Sequence, residues 1–169
     1  MYEKLIAPCG MNCSLCISYQ FMKNDLNKQG FRKKYCTGCI PRGENCTHMG
    51  DRCELLGKGK VRLCYECEAF PCKRLKSLDK RYRTKYHMSM IENLKFIKEN
   101  GMEGFLKKEE KKWQCPECGT VICCHNGLCL NCNLIRYSRL NYSHLTFSRF
   151  EEGDSDYLTG TKHPVNKGL

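Results

Sequence analysis

Sixteen cysteines in 169 residues, most of them in Cys-x-x-Cys pairs, limit what this chain can fold into more than any hydrophobic pattern does. Their distribution is uneven. Ten lie between Cys9 and Cys72, the next 42 residues have none, and six crowd between Cys115 and Cys132. This layout predicts two metal-bearing modules with a helical spacer: a cysteine-rich module over 1–72, a basic helical pair over 73–112, a zinc ribbon over 113–132, and an aromatic, basic segment with a polar tail over 133–169.

Dense cysteine marks either a secreted disulfide scaffold or an intracellular metal protein. Residues 1–16 hold no apolar run of signal-peptide length, and no stretch is apolar enough to cross a bilayer. The expected setting is a reducing cytoplasm, with thiols available to metal. Hydrophobic content is 41%, but that figure counts the cysteines and nine tyrosines, so the aliphatic core is thin. Ordering the backbone costs about 1–2 kcal/mol per residue, whereas one structural zinc contributes roughly 10–16 kcal/mol in small finger peptides. Metal is therefore expected to be a condition of folding.

The formal charge of +11 treats every cysteine as neutral. A four-thiolate site around a divalent ion carries about −2, so three such sites would lower the total to about +5. The remaining charge is concentrated in 73–112, with 13 Lys+Arg against 6 Asp+Glu, while 113–169 has 5 against 5. A solvated helical face is the simplest reading of that excess, and nucleic-acid contact is the alternative.

Periodicity places a short helix over 17–27 with Ile17, Phe21 and Leu26 inward, ending near Gly30. Residues 31–60 read as loop. Between Arg81 and Lys112, Met88, Ile91, Leu94 and Ile97 share a helical face; Asn100-Gly101 stops that helix, and a second runs over 102–111 with Phe105 and Leu106 inward. Ser89 or His87 begins the first. Beyond Cys132, Tyr137, Tyr142, Phe147 and Phe150 mix with Arg136, Arg139 and Arg149 at no clear period, and 151–169 has the composition of a mobile tail.

The strongest chemical signal is Trp113-Gln-Cys115-Pro-Glu-Cys118-Gly119 followed by Cys129-Leu-Asn-Cys132. Two such knuckles turn two thiolates each toward one tetrahedral zinc at about 2.3 Å, and Gly119 allows the tight turn. An iron centre or a disulfide pair are the alternatives. Cys123 and Cys124 read as packed or exposed thiols at a hairpin tip turned by His125-Asn126-Gly127, with His125 a less favoured ligand.

The ten N-terminal cysteines are harder to partition. A working assignment pairs Cys36 and Cys39 with Cys64 and Cys67 around zinc, leaving Cys9, Cys13, Cys16 and Cys72 for a second site. Cys46, Cys53 and His48 are less favoured ligands. The Cys9-x3-Cys13-x2-Cys16 spacing matches that by which radical S-adenosylmethionine enzymes hold a cluster, but those enzymes enclose substrate in a much larger barrel. An ordinary [4Fe–4S] cluster is the more credible alternative to zinc there. Gly57-Lys-Gly59-Lys60 is too short for a phosphate loop, and no nucleophile motif is present, so the reading leans away from an enzyme.

The order Ala7-Pro8-Cys9-Gly10, Cys13, Cys16, Cys36-Thr-Gly38-Cys39 and Cys64-Tyr-Glu-Cys67-Glu-x-Phe70-Pro71-Cys72 resembles the prokaryotic cysteine-rich domain-of-unknown-function family 3795. The resemblance continues through Glu92-Asn93-Leu94, Gly101 and Trp113-x-Cys115 to His125 and Cys132. It implies cytoplasmic metal sites, zinc above all, and a recurrent position at His125. The chain is thus expected to be a small α+β, metal-nucleated protein that acts as a binding or adaptor module for a protein or nucleic-acid partner. The competing expectation is an iron–sulfur protein serving electron transfer or a redox enzyme.

Overall fold

A computed structural model describes residues 1–42, 53–134 and 136. Cys46, His48 and the aromatic segment and tail from 137 onward lie outside the described residues. Four helices organise the rest: α1 (Ile17–Lys23), α2 (Glu54–Gly57), α3 (Lys73–Tyr86) and α4 (Met90–Trp113), with short 3-10 turns between them. The described structure is mostly helical. Its β pairing consists of three isolated antiparallel bridges, Ile6 with Asn12, Gln114 with Val121, and Ile122 with Cys129.

α3 starts at Lys73, earlier than the periodicity suggests, because its apolar stripe is thin: Leu75 and Leu78 are buried and Tyr82 is half-buried. The intervening residues are mostly Lys and Arg, which form good helix but leave little hydrophobic rhythm. The helix ends where His87 takes a left-handed conformation (φ 51°). Ser89 then caps α4, its Oγ accepting from the Glu92 N–H at 3.1 Å. Asp79 of α3 reinforces that cap, with its Oδ1 accepting from Ser89 Oγ at 2.7 Å and the Ile91 N–H at 3.1 Å. A buried carboxylate facing a helix N-terminus satisfies amide donors that the helix itself leaves open, and so locks α3 to α4.

α4 is two helices joined across a kink, broken as expected at Gly101, whose φ of 74° and ψ of 170° suit glycine alone. Its first half buries Met90, Leu94 and Ile97 and its second buries Phe105 and Trp113. The N-terminal loop lies across both halves. Asn93 Nδ2 donates to the Gly10 carbonyl at 3.0 Å, and Asn12 Nδ2 donates to Glu109 Oε2 at 3.1 Å. Gly10 (φ +83°) approaches so closely that a Cβ there would stand 2.6 Å from the Met90 carbonyl oxygen and 2.8 Å from Leu94 Cγ.

One buried core contains Leu5, Ile6 and Ala7 from the N-terminal loop, Leu75 and Leu78 from α3, Leu94 and Phe105 from α4, and Cys115, Ile122 and Cys129 beyond it. A smaller cluster joins Phe21, Leu26 and Phe31 to Leu128 and Leu130. Phe21 and Phe31 meet edge to face with centroids 6.2 Å apart. No described helix is long and apolar enough to cross a membrane.

Candidate metal centre

α4 ends at Trp113, a buried anchor that fixes where the next residues begin. From there the chain turns back on itself. The Cys115 N–H donates to the Thr120 carbonyl at 2.7 Å, the Gly119 N–H to the Cys115 carbonyl at 2.9 Å, and the Ile122 N–H to the Trp113 carbonyl at 2.8 Å. Gly119 supplies the positive φ (+71°) that this reversal requires. A second reversal follows at 123–128, where the Cys123 N–H reaches the Leu128 carbonyl at 2.9 Å and Asn126 Oδ1 accepts from the Leu128 N–H at 3.1 Å. That turn brings Cys129 and Cys132 back beside Cys115 and Cys118.

The ligand atoms of Cys115, Cys118, Cys129 and Cys132 all lie within 4.8 Å of one another, and among the described residues this is the one group of three or more potential ligands so placed. Cys115 Sγ is 3.9 Å from Cys132 Sγ, and Cys118 Sγ is 3.5 Å from Cys129 Sγ. Four sulfurs on a tetrahedral ion with bonds of about 2.3 Å stand about 3.8 Å apart, so the donor set fits a metal ion. Thr120 Oγ1 lies 3.0 Å from both Cys118 Sγ and Cys129 Sγ. Cys115 and Cys129 are buried while Cys118 and Cys132 are exposed, so the site sits at the surface with one side covered.

The thiols do not share charge equally. Burial acts to raise Cys118, but hydrogen bonds from Thr120 and Cys132 outweigh it and bring the group down to about 6. Desolvation, followed by the hydrogen bonds to Cys118 and its neighbours, pushes Cys132 well up, and desolvation also raises Cys115. Cys118 is thus the readily ionised sulfur, while Cys115 and Cys132 are pushed toward the protonated form. A divalent cation would displace those protons and remove the like-charge penalty.

Cys123 and Cys124 are buried, and desolvation drives both thiols upward, Cys123 to about 12. They pack. His125 is turned toward the N-terminal half: its Nδ1 accepts from the Ile17 N–H at 3.3 Å and its Nε2 is 3.4 Å from the Tyr82 hydroxyl. Its ring meets Tyr86 at 4.7 Å between centroids. Desolvation, with Lys33 second, lowers its pKa. The Cys124 N–H donates to the Leu15 carbonyl at 3.0 Å. These contacts dock the hairpin tip on the segment that carries Cys13 and Cys16.

Of the N-terminal cysteines, Cys9, Cys13, Cys16, Cys36 and Cys39 line one cavity of about 330 Å³. Cys64 lies next to the N-terminal loop, its N–H donating to the Pro8 carbonyl at 2.8 Å, and Cys67 closes a tight turn onto the Cys64 carbonyl at 3.3 Å. Cys72 occupies the N-cap of α3 and Cys53 that of α2. None of the described cysteines is in a disulfide.

Residues 5–77 match the family model described as "Protein of unknown function (DUF3795)". No curated protein and no solved structure matches the chain. The matched segment spans Cys9 to Cys72 and ends inside α3, so the Cys115 group lies outside it.

Proposed function

We propose that this is a zinc protein of the binding or adaptor kind, in which Cys115, Cys118, Cys129 and Cys132 hold one structural zinc in a ribbon. The convergence of four sulfurs within 4.8 Å, after two chain reversals, carries the reading. Zinc matches an all-sulfur tetrahedral set, and four protein ligands leave no open position for catalysis. The ion would fix the register of the Gln114–Val121 and Ile122–Cys129 pairings, which are otherwise too short to persist in water.

A surface for the partner is offered by α3. Lys73, Lys76, Lys80, Arg81, Arg83 and Lys85 are exposed on it, and its single acid, Asp79, is buried against α4. A helix so charged favours an anionic partner, either an acidic protein face or a nucleic acid. Metal analysis of purified protein tests the zinc, with Cys115→Ser losing one equivalent. Binding to a generic RNA or DNA duplex, titrated against salt, separates the partners: affinity falling steeply with salt identifies nucleic acid, and no binding at low salt leaves the protein partner.

A further inference from the structure

We infer that Cys13, Cys16, Cys36 and Cys39 form a second four-thiolate centre for a zinc-class divalent ion. Its ligands come from two Cys-x-x-Cys turns that the fold presses together, and the set differs from the partition suggested by spacing alone. Both pairs line the 330 Å³ cavity below α1. The two turns touch: the Cys39 N–H donates to Cys13 Sγ at 3.4 Å, and the Cys36 N–H donates to the carbonyl of Ser18, two residues past Cys16, at 3.3 Å.

Gly38 permits this approach. It is buried, has φ +107°, and a Cβ there would lie 2.9 Å from Leu5 Cδ2 and 3.6 Å from Cys13 Cβ. The Cys16 N–H closes the first turn onto the Cys13 carbonyl at 3.0 Å. An amide donating to a ligand sulfur is the outer contact that stabilises metal thiolates.

Charge supports the same set. Four thiolates around a divalent ion leave about −2, and two cations line this cavity: Lys34, and Arg42, whose Nη1 is 4.0 Å from Cys36 Sγ. Cys16, Cys36 and Cys39 are only half-buried, and no three of the four sulfurs stand within 4.8 Å of one another, so an ion would have to draw them together. Cys9 lines the same cavity and is buried, but it belongs to neither of the two Cys-x-x-Cys turns. The site is independent of the Cys115 group, so loss of zinc there does not decide this one.

The test uses the full chain, purified anaerobically with zinc. In the zinc-loaded protein, alkylation of Cys16, Cys36 and Cys39 read by mass spectrometry should be slowed by about tenfold or more and released together by a chelator, since thiolates held by metal react poorly. The double variant Cys36→Ser/Cys39→Ser should bind one zinc fewer than the parent. Fast alkylation of these half-exposed thiols in the zinc-loaded parent would overturn the assignment even if the variant failed to fold. So would an unchanged zinc count in a folded variant, or iron with visible absorbance occupying these cysteines.

Discussion

The two cysteine-rich regions use the same Cys-x-x-Cys unit but rest on different support. In the C-terminal region the four sulfurs converge at the end of two short reversals held by local backbone hydrogen bonds, with Cys118 and Cys132 exposed beside buried Ile122, Leu128 and Leu130. In the N-terminal region the cysteines are threaded through a loop that packs on α3 and α4, where Leu5, Ala7 and Leu15 are almost wholly buried. A knuckle therefore fixes only a local turn. Whether metal or packing secures it depends on what the surrounding residues bury.

Removing the C-terminal ligands should expose that dependence most strongly. Cys115→Ser is expected to abolish the zinc there, with a loss of local stability on the order of 10 kcal/mol. Amide exchange over 113–132 should then become fast while α3 and the first half of α4 stay protected. Uniform loss of protection would mean that the two regions are not supported differently.

The reciprocal test is Gly10→Ala. A left-handed φ costs about 1–2 kcal/mol without glycine, and overpacking costs about 1–3 more; the methyl would meet Met90 and Leu94. Destabilisation of about 2–5 kcal/mol by denaturant unfolding, with the Cys115 zinc retained, is the expected outcome. A smaller effect is expected for Ser89→Ala, which removes the α4 cap and the Asp79 contact. It should cost about 1 kcal/mol, seen as a lower denaturation midpoint.

The finest prediction concerns Glu109, which links α4 to Asn12. Burial raises its pKa above the ordinary 4.5, only partly offset by the Asn12 hydrogen bond. A carboxyl whose folded pKa is raised contributes stability below the unfolded value and loses it as pH rises through the folded value. Relative to the parent, Glu109→Gln should therefore gain stability as pH rises from acid to neutral. A constant difference between the two across that range would remove this account.

Much of this contrast was legible in the sequence, though unevenly. The Cys115 knuckles, the Gly119 and His125-Asn126-Gly127 turns, and the Gly101 break depend on local spacing and backbone preference, which a sequence displays directly. The start of α3 was not legible, because lysines and arginines conceal a stripe of only Leu75, Leu78 and Tyr82. Nor could spacing disclose that Cys36 and Cys39 lie beside Cys13 and Cys16, since Gly38 and the Cys36–Ser18 contact join segments far apart in the chain. Asp79 at the α4 cap and Glu109 beneath Asn12 were equally hidden, as lone acids among many charges.

The most direct test of the C-terminal centre is zinc-edge X-ray absorption, with metal counting, on the parent protein and Cys115→Ser. The account predicts that the variant loses one zinc relative to the parent, and that this zinc has four sulfur neighbours at about 2.3 Å. Equal zinc in both proteins, or a lost ion ligated by oxygen or nitrogen, would contradict it.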